Sequence, residues 1–483
     1  MSVADFSLPS VAGDSVRLSD GPALLLFVSE ECPTSTLALR RLSGAGVRVV
    51  AVFEDPLEVA ARVARRTGFD GVVLSEPAPY DVSRAYGLVS LPTAVLVDAE
   101  GQECGRVVGW DAPALESLLS VSLTDEPPLR KPGCAAKNTY DPETLRAIDG
   151  AGFDELEEMF DRGWTDGLPV VPPTVERVHV MLGGHDGDEV LGEIAPAMAS
   201  VTLERVAACA VLAGCRPEYF PVVVAAAQAV LEPSFNVGGQ AVTTQPCGQI
   251  VVVNGPVRDA IGLNGSLGAL GPGWRANMTI GRALRLVVSL TGGGFPGRLD
   301  RSTLGQPGKI GVCFAEDEEV SPWEPLHVSR GYDARQSVVT VFGADAPLNI
   351  SDHRSTGPEE LARVLGDAAG ATWSPNWWPL GGVSLFAICP EHARSFAQWG
   401  WDKARVRSEM FAATRRAAGS LRWGETTPLV GEADDDQLVR KWSSPEDIVL
   451  VVAGGEAGRF SAVFGPCLGM DAQVISKEVP WTT

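Results

Sequence analysis

The stretch SEECPTSTLALRRL, residues 29–42, decides how the front of the chain is read. The apolar run ALLLFVS leads into it and an amphipathic segment starting at Pro33 leads out, so a strand turns into a helix at Cys32. Proline suits the first turn of a helix, where its missing N–H is not needed. A thiol at this turn faces the positive end of the helix dipole, which favours the thiolate, while Glu30 and Glu31 act against it. A local redox pair would place its second sulfur three residues on, where the chain carries Ser35. The competing reading of Cys32 is a buried cysteine at the end of a strand.

Around this turn, residues 1–122 alternate short apolar runs with amphipathic segments: VRVVAVF, PLEVAARVARR, then TAVLVDAEGQ with a hairpin at Asp98 to Gly101. Residues 123–144, containing DEPPLRKPGCAAKNTYDPE, are dense in proline, glycine and charge and read as an interdomain linker that carries Cys134. From 145 to 483 the texture changes to long apolar strands, QIVVVNGP, SVVTVFGADAP, GVSLFAICP and DIVLVVAGGEAG, each followed by a loop. The expected fold class is α/β throughout, the larger domain having a mainly parallel or mixed sheet.

With 39 basic and 61 acidic residues the net charge is -22, which repels phosphate backbones and anionic membrane surfaces. Nucleic acid and membrane are therefore not expected partners, although a local basic patch can still take a small anion. The start, MSVADFSLPS, has neither the basic segment nor the apolar run of a secretory signal, so a cytoplasmic location is expected. The apolar stretch from Val201 to Leu231 is cut by Arg216, Pro217 and Glu218 and predicts two buried helices, since a bilayer span takes about 20 residues. Nine cysteines, odd in number and irregular in spacing, suit mostly core thiols, Cys209 and Cys215 among them.

The segments DFSLPSVAGDSVRLSD, LLLFVSEECPTS and YGLVSLPTAVLVDAEGQ, over residues 4–120, resemble the thioredoxin superfamily, in particular its redoxin and thiol-disulfide reductase branch. The resemblance implies a thioredoxin fold in which Cys32 is the first cysteine of the CxxC motif, Ser35 replaces the second, and Pro92 is the cis-proline beside the thiol. Without a thiol at 35 no local disulfide can close. A single nucleophilic thiol instead forms a mixed disulfide or persulfide that a more distant cysteine resolves. Cys134, flanked by Lys131 and Lys137, is the foremost candidate, and Cys104 at the hairpin is the more inert one. Peroxiredoxins carry proline and threonine where this chain has Leu25 and Ser29, which disfavours peroxidase chemistry.

In the larger domain, NGPVRDAIGLNGSLGALGPGWRANMTIGRALRL, residues 254–286, feeds a glycine-rich loop into a helix start, a favourable place for an anion. Gly271 and Gly273 allow close backbone approach and Arg275 offers a planar donor; Asn264 and Asn277 complete the expected substrate-binding set. In GADAPLNISDHRST, Asp352 and His353 suit a base or a divalent-metal ligand pair. In AICPEHAR, Cys389 and His392 stand at a strand-to-helix turn as supporting residues. The run AEDEE, residues 315–319, reads as a solvated loop, and Trp378 as a pocket roof or a packing residue. WTDGLPVVPPT, GCRPEYFPVV, GALGPGWRANMTIGRALRL, SPWEPLHVSRG and CPEHA, within residues 160–480, resemble largely uncharacterised bacterial UGSC-type (seleno)proteins, which implies thiol or selenol chemistry near this domain.

These readings converge on a thiol-dependent oxidoreductase or lyase. Cys32 with Cys134 delivers electrons or sulfur to a small anionic organic substrate, a carbon–heteroatom bond is cleaved, and a thiol reductant restores the pair. No cofactor beyond the divalent-metal option is implied, and the glycine-ended strands and buried helices allow a homo-oligomer. Two alternatives stay open: a thiol-independent lyase or hydrolase acting through Asp352 and His353, and a non-enzymatic redox sensor.

Overall fold

The structure, a computed structural model, describes residues 6–13, 15–17, 22–77, 80–99, 102–123, 126–136, 153–372, 382–422, 433–467 and 472–480. The chain divides into two units, Met1–Gly150 and Ala151–Thr483.

In the first unit a central strand β1 (Ala23–Val28) runs into helix α1 (Pro33–Leu42), then β2 (Val49–Phe53), α2 (Leu57–Thr67) and β3 (Val72–Ser75). After it come β4 (Ser90–Leu91), β5 (Thr93–Val97), β6 (Glu103–Val108), β7 (Trp110–Asp111) and α3 (Ala112–Leu119). The main sheet has the order β3-β2-β1-β5-β6. β1, β2 and β3 are mutually parallel, and β5 and β6 join antiparallel. The run ALLLFV is continuously apolar because both faces of β1 are covered: Leu24, Leu26 and Val28 pack on α1, α2 and Trp110, while Leu25 and Phe27 pack with Tyr86 and Leu88 on the other side.

The segment expected as a loose linker is not loose where it is described. β8 (Arg130–Lys131) pairs antiparallel with β7, and β9 (Cys134–Ala135) pairs antiparallel with β4. Trp110 Nε1 donates to Pro128 O at 3.0 Å, Thr34 Oγ1 to Pro132 O at 2.8 Å and Ala136 N to Val89 O at 3.3 Å. Residues 128–136 therefore form a strap across the first unit, ending on the strand beside Pro92. Lys137 and the rest of the expected linker up to 144 lie outside the described residues.

In the second unit α4 (Leu203–Ala213) and α5 (Phe220–Leu231) are the two expected helices, broken at Arg216 and Pro217. Burial pushes the Cys209 and Cys215 thiols up to about 12, as core cysteines require. The sheet is built from β10 (Gly248–Asn254), β11 (Val312–Ala315), β12 (Val338–Ser351), β13 (Ser384–Ile388), β14 (Ile448–Val452), β15 (Phe460–Pro466) and β16 (Ile475–Glu478). Its order is β11-β10-β12-β15-β13-β14, with β16 also on β12. The sheet is mixed: β10 and β11 are parallel, as are β13 and β14, but β12 is antiparallel to both β10 and β15.

One face carries Val251, Val253, Val339 and Val341 onto α4, α5 and α6 (Arg275–Leu286). On the same sheet Phe386, Ile388, Leu450 and Val452 meet α7 (Pro358–Ala369), α8 (Pro390–Gln398) and α9 (Lys403–Ala413). The opposite face, with Ile250, Val252, Phe314, Phe342, Val451 and Phe464, forms an apolar cluster of its own. The sheet curls to close that cluster: Phe314 and Phe464 stack at 6.5 Å, and Asp317 N, just past β11, donates to Val452 O at the end of β14 at 2.8 Å.

Three expectations change here. GADAPLNISD, read as a loop after a strand, is strand through Ser351, because β12 exchanges β10 for β15 as its partner at a register shift between Ala344 and Pro347. The acidic run is folded rather than solvated: Glu316 is fully buried, accepting from Asn254 Nδ2 and Leu326 N at 2.7 Å each, and Arg258 pairs with Glu319 at 2.9 Å. Finally, Cys247 is joined to Cys467 in a disulfide with 5.7 Å between Cα atoms, a pair that the irregular spacing did not announce. Trp378 lies outside the described residues.

Burial also sets one pH response. Loss of hydration, with Arg416 adding repulsion, pushes the Lys441 ammonium down to about 8. Below that pH both folded and unfolded chains hold the proton; above it the folded chain releases its proton first, so this group adds stability as pH rises toward its unfolded value. Lys441→Met is expected to stabilise the fold at pH 7 by roughly 2–3 kcal/mol and to flatten the pH 7 to 10 rise in denaturation midpoint. An unchanged pH profile in the variant would show that Lys441 does not carry it.

Candidate functional site

The turn after β1 places Cys32 at the N-cap of α1, with Pro33 in the first turn and no side chain capping the helix. Cys32 is 1% exposed, and its Sγ donates to Leu91 O at 3.1 Å. Only the protonated thiol can make that bond. The Leu91–Pro92 peptide bond is cis. Ser35, fully buried, accepts from Ser29 N at 3.3 Å and so braces the loop that holds Cys32. Glu30, beside the thiol in sequence, pairs with Arg62 at 2.9 Å.

Leu91 has a second neighbour. In the β9·β4 register Cys134 stands opposite Leu91, and Ala135 opposite Ser90. The residue whose carbonyl accepts from Cys32 is thus the one paired, backbone to backbone, with Cys134. Cys104, by contrast, lies exposed on β6.

In the second unit Arg275, Asn264 and Asn277 of the expected anion set make internal bonds. Arg275 Nε and Nη2 both donate to Gly214 O, at 3.0 and 2.9 Å. Asn277 Oδ1 accepts from Asn264 N at 2.9 Å while its Nδ2 donates to Asn264 O and Ala269 O, fixing the glycine-rich loop onto α6. Gly271 and Asn277 border a largely apolar cavity of 460 Å³ with Met278 and Val312, and Gly273 holds a φ of 113° that suits glycine.

Asp352 and His353 do not act toward each other. The Asp352 carboxylate accepts from Arg354 N at 2.8 Å, from Ser355 N at 3.0 Å and from Ser355 Oγ. Burial raises its pKa, but these bonds outweigh burial and hold it below the usual carboxylate range. His353 is exposed, edge-on to Phe460 at 5.7 Å. The histidine that meets this loop is His392, fully buried, with Nδ1 2.8 Å from Ser461 Oγ and Nε2 3.0 Å from Asp352 O. Burial lowers the His392 pKa and raises that of the Cys389 thiol, so this corner holds a neutral imidazole and a protonated thiol. Among the described residues no group of three or more His, Cys, Asp or Glu could hold a metal ion, and no helix is long and apolar enough to cross a membrane.

Sequence reasoning missed a polar cluster in the loop after α6. Arg285 Nη2 donates to Asp300 Oδ2 at 2.9 Å, and Lys309 Nζ reaches the same oxygen at 2.6 Å. Ser302 Oγ bridges Lys309 and Asp300 at 2.6 and 2.7 Å. The density of basic residues in RLDRSTLGQPGK was the only signal.

The thiol at the start of α1 and the cis bond before Pro92 are the two features that the sequence resemblance to the thioredoxin superfamily implies for the first unit. Neither a family model nor a curated protein matches the chain. Solved structures similar to part of it include a putative thiol:disulfide interchange protein DsbE from Chlorobium tepidum, at 26% identity over 25% of this chain and 93% of that one, with a TM-score of 0.23. A thiol-disulfide oxidoreductase from Bacteroides fragilis is 19% identical over 25% of this chain and 98% of its own, with a TM-score of 0.23. An uncharacterized conserved protein from Geobacillus kaustophilus is 22% identical over 29% and 92%, with a TM-score of 0.24.

Proposed function

We propose that the protein is a thiol-dependent redox enzyme in which Cys32 and Cys134 form the working pair, delivering electrons or sulfur to a small anionic substrate bound by the larger unit. The observation that supports this reading is the register setting Cys134 opposite Leu91, whose carbonyl also accepts from the Cys32 thiol. Two thiols that join release two electrons and two protons, the requirement for cleaving R–X reductively to R–H and HX. A small thiol reductant then reopens the disulfide by exchange.

The test is peptide mapping of the full chain after treatment with diamide, a two-electron thiol oxidant. A Cys32–Cys134 disulfide with a mass loss of two hydrogen atoms is expected, absent in Cys32→Ser and in Cys134→Ser. Oxidised protein in which these two cysteines remain unlinked would overturn the pairing. A persulfide on Cys32 in the protein as purified would select sulfur transfer over electron transfer.

A further inference from the structure

The loop between α6 and β11 encloses a cavity of 340 Å³ whose wall includes Arg285, Ser289, Asp300, Ser302, Gln306 and Lys309. Its charged groups are deep: Arg285 is 5% exposed, Asp300 4%, and the Lys309 side chain 11%. Beside them Arg282 is held bidentate by Asp166, Nε to Oδ2 at 2.8 Å and Nη2 to Oδ1 at 2.7 Å. Three cations, Arg282, Arg285 and Lys309, thus stand against two carboxylates, Asp166 and Asp300, leaving one positive charge in surplus.

The hydrogen-bond inventory has the same sign. Arg285 Nη1 and Gln306 Nε2 are buried and take no partner among the described residues. Gln306 Oε1 is already used, accepting from Gly308 N at 2.5 Å, so its amide nitrogen is the end left over. An unsatisfied buried N–H is costly, more so when it is charged, and native proteins rarely leave two of them in side chains that line one cavity. Burial also depresses the pKa of both Arg285 and Lys309, the latter further opposed by Arg285, and a bound anion would relieve that penalty.

We infer that this cavity is a binding site for a small organic monocarboxylate, its carboxylate taken by Arg285, Gln306 and Lys309. One surplus charge matches one carboxylate, whereas a phosphate dianion would leave the buried site negative. The planar guanidinium beside an amide suits two parallel N–H···O bonds. The cavity has room for a molecule about the size of benzoate. That this carboxylate belongs to the redox substrate rests on the proposed function; the binding itself stands on the cavity alone.

The experiment is calorimetric titration of the full chain at low salt with glycolate, propionate and benzoate, and with inorganic phosphate as the contrasting anion. At least one monocarboxylate is expected to bind with one-to-one stoichiometry, at least tenfold more weakly in Lys309→Met and within threefold of wild type in Lys309→Arg. Hydrogen exchange of the wild-type chain with the bound acid, which needs no variant to fold, is expected to slow at amides 295–310. Absence of heat and protection with all three acids, unchanged affinity in a folded Lys309→Met, or phosphate binding tighter than every monocarboxylate would each overturn the inference. Thiol mapping on the same preparation reads the redox proposal separately, so failure of either is seen alone.

Discussion

Replacing Gly133 by alanine is expected to speed alkylation of Cys32 at least tenfold. Gly133 sits where the strap crosses β4, and a Cβ there would lie 2.5 Å from Ser90 Oγ, 2.9 Å from Leu91 C and nearer still to Leu91 O. Two of those three atoms are backbone, held by the strand that leads into Pro92, so the strap rather than the strand must move. Its displacement breaks the bond from Thr34 Oγ1 to Pro132 O and the one from Ala136 N to Val89 O. At about 1 kcal/mol for each, the population with the strap open rises roughly 10- to 100-fold. Cys32 is otherwise 1% exposed, and its reaction with a soluble reagent depends on that open population.

The measurement is peptide-resolved labelling with iodoacetamide over time, with exposed Cys104 as the internal standard whose rate is not expected to change. Equal Cys32 rates in variant and wild type would show that the strap does not cover the thiol. The same variant bears on the proposed pair, because moving the strap separates Cys134 from Leu91. Diamide is expected to yield less of the Cys32–Cys134 disulfide even though Cys32 has become more reactive. Those two readouts moving in opposite directions is a result that simple loosening of the fold would not give.

What was legible in the sequence was local. The run ALLLFV, the helix opened by Pro33 and the break at Arg216 and Pro217 each follow from neighbouring residues, and the structure has them. The contacts that shape the candidate sites join residues far apart. Cys134 looked like part of a linker because proline, glycine and lysine surround it, yet those residues let it run as a short edge strand beside β4. Arg275 looked like an anion donor because a helix start and glycines precede it, and the carbonyl of Gly214, at the C-terminal end of α4, accepts from its Nε and Nη2. Arg285 drew no notice inside an amphipathic helix, since Asp300 and Lys309 reach it only through a loop with no periodic pattern. A helix-capping carbonyl or a buried carboxylate is equally common in sequence and decisive only in space.

Gly311→Ala is expected to be among the most damaging glycine substitutions in the larger unit. Gly311 has a φ of 141°, where residues with a Cβ are strained, and its Cβ would fall 2.5 Å from Gly281 O and closer to Gly281 C and Arg282 N. Gly281, on α6, faces it with the same restriction, its own Cβ reaching Val312 N at 2.8 Å. The helix and the entry to β11 thus touch backbone to backbone, and neither side has a flexible side-chain end that could give way. Strain of about 1–3 kcal/mol at φ and a similar overpacking cost add to roughly 4 kcal/mol. In a unit of this size that corresponds to a melting temperature lower by on the order of 5 °C. The lever arm also matters for the cavity, because Lys309 lies two residues before Gly311 and Arg282 one residue after Gly281. Parting the two glycines moves the Lys309 loop away from Arg285, so monocarboxylate affinity should fall by more than in Lys309→Arg even at temperatures where the variant remains folded. Calorimetric unfolding and the same titration, run side by side, check both halves, and a variant that melts like wild type would mean that α6 and the β11 entry are not in backbone contact.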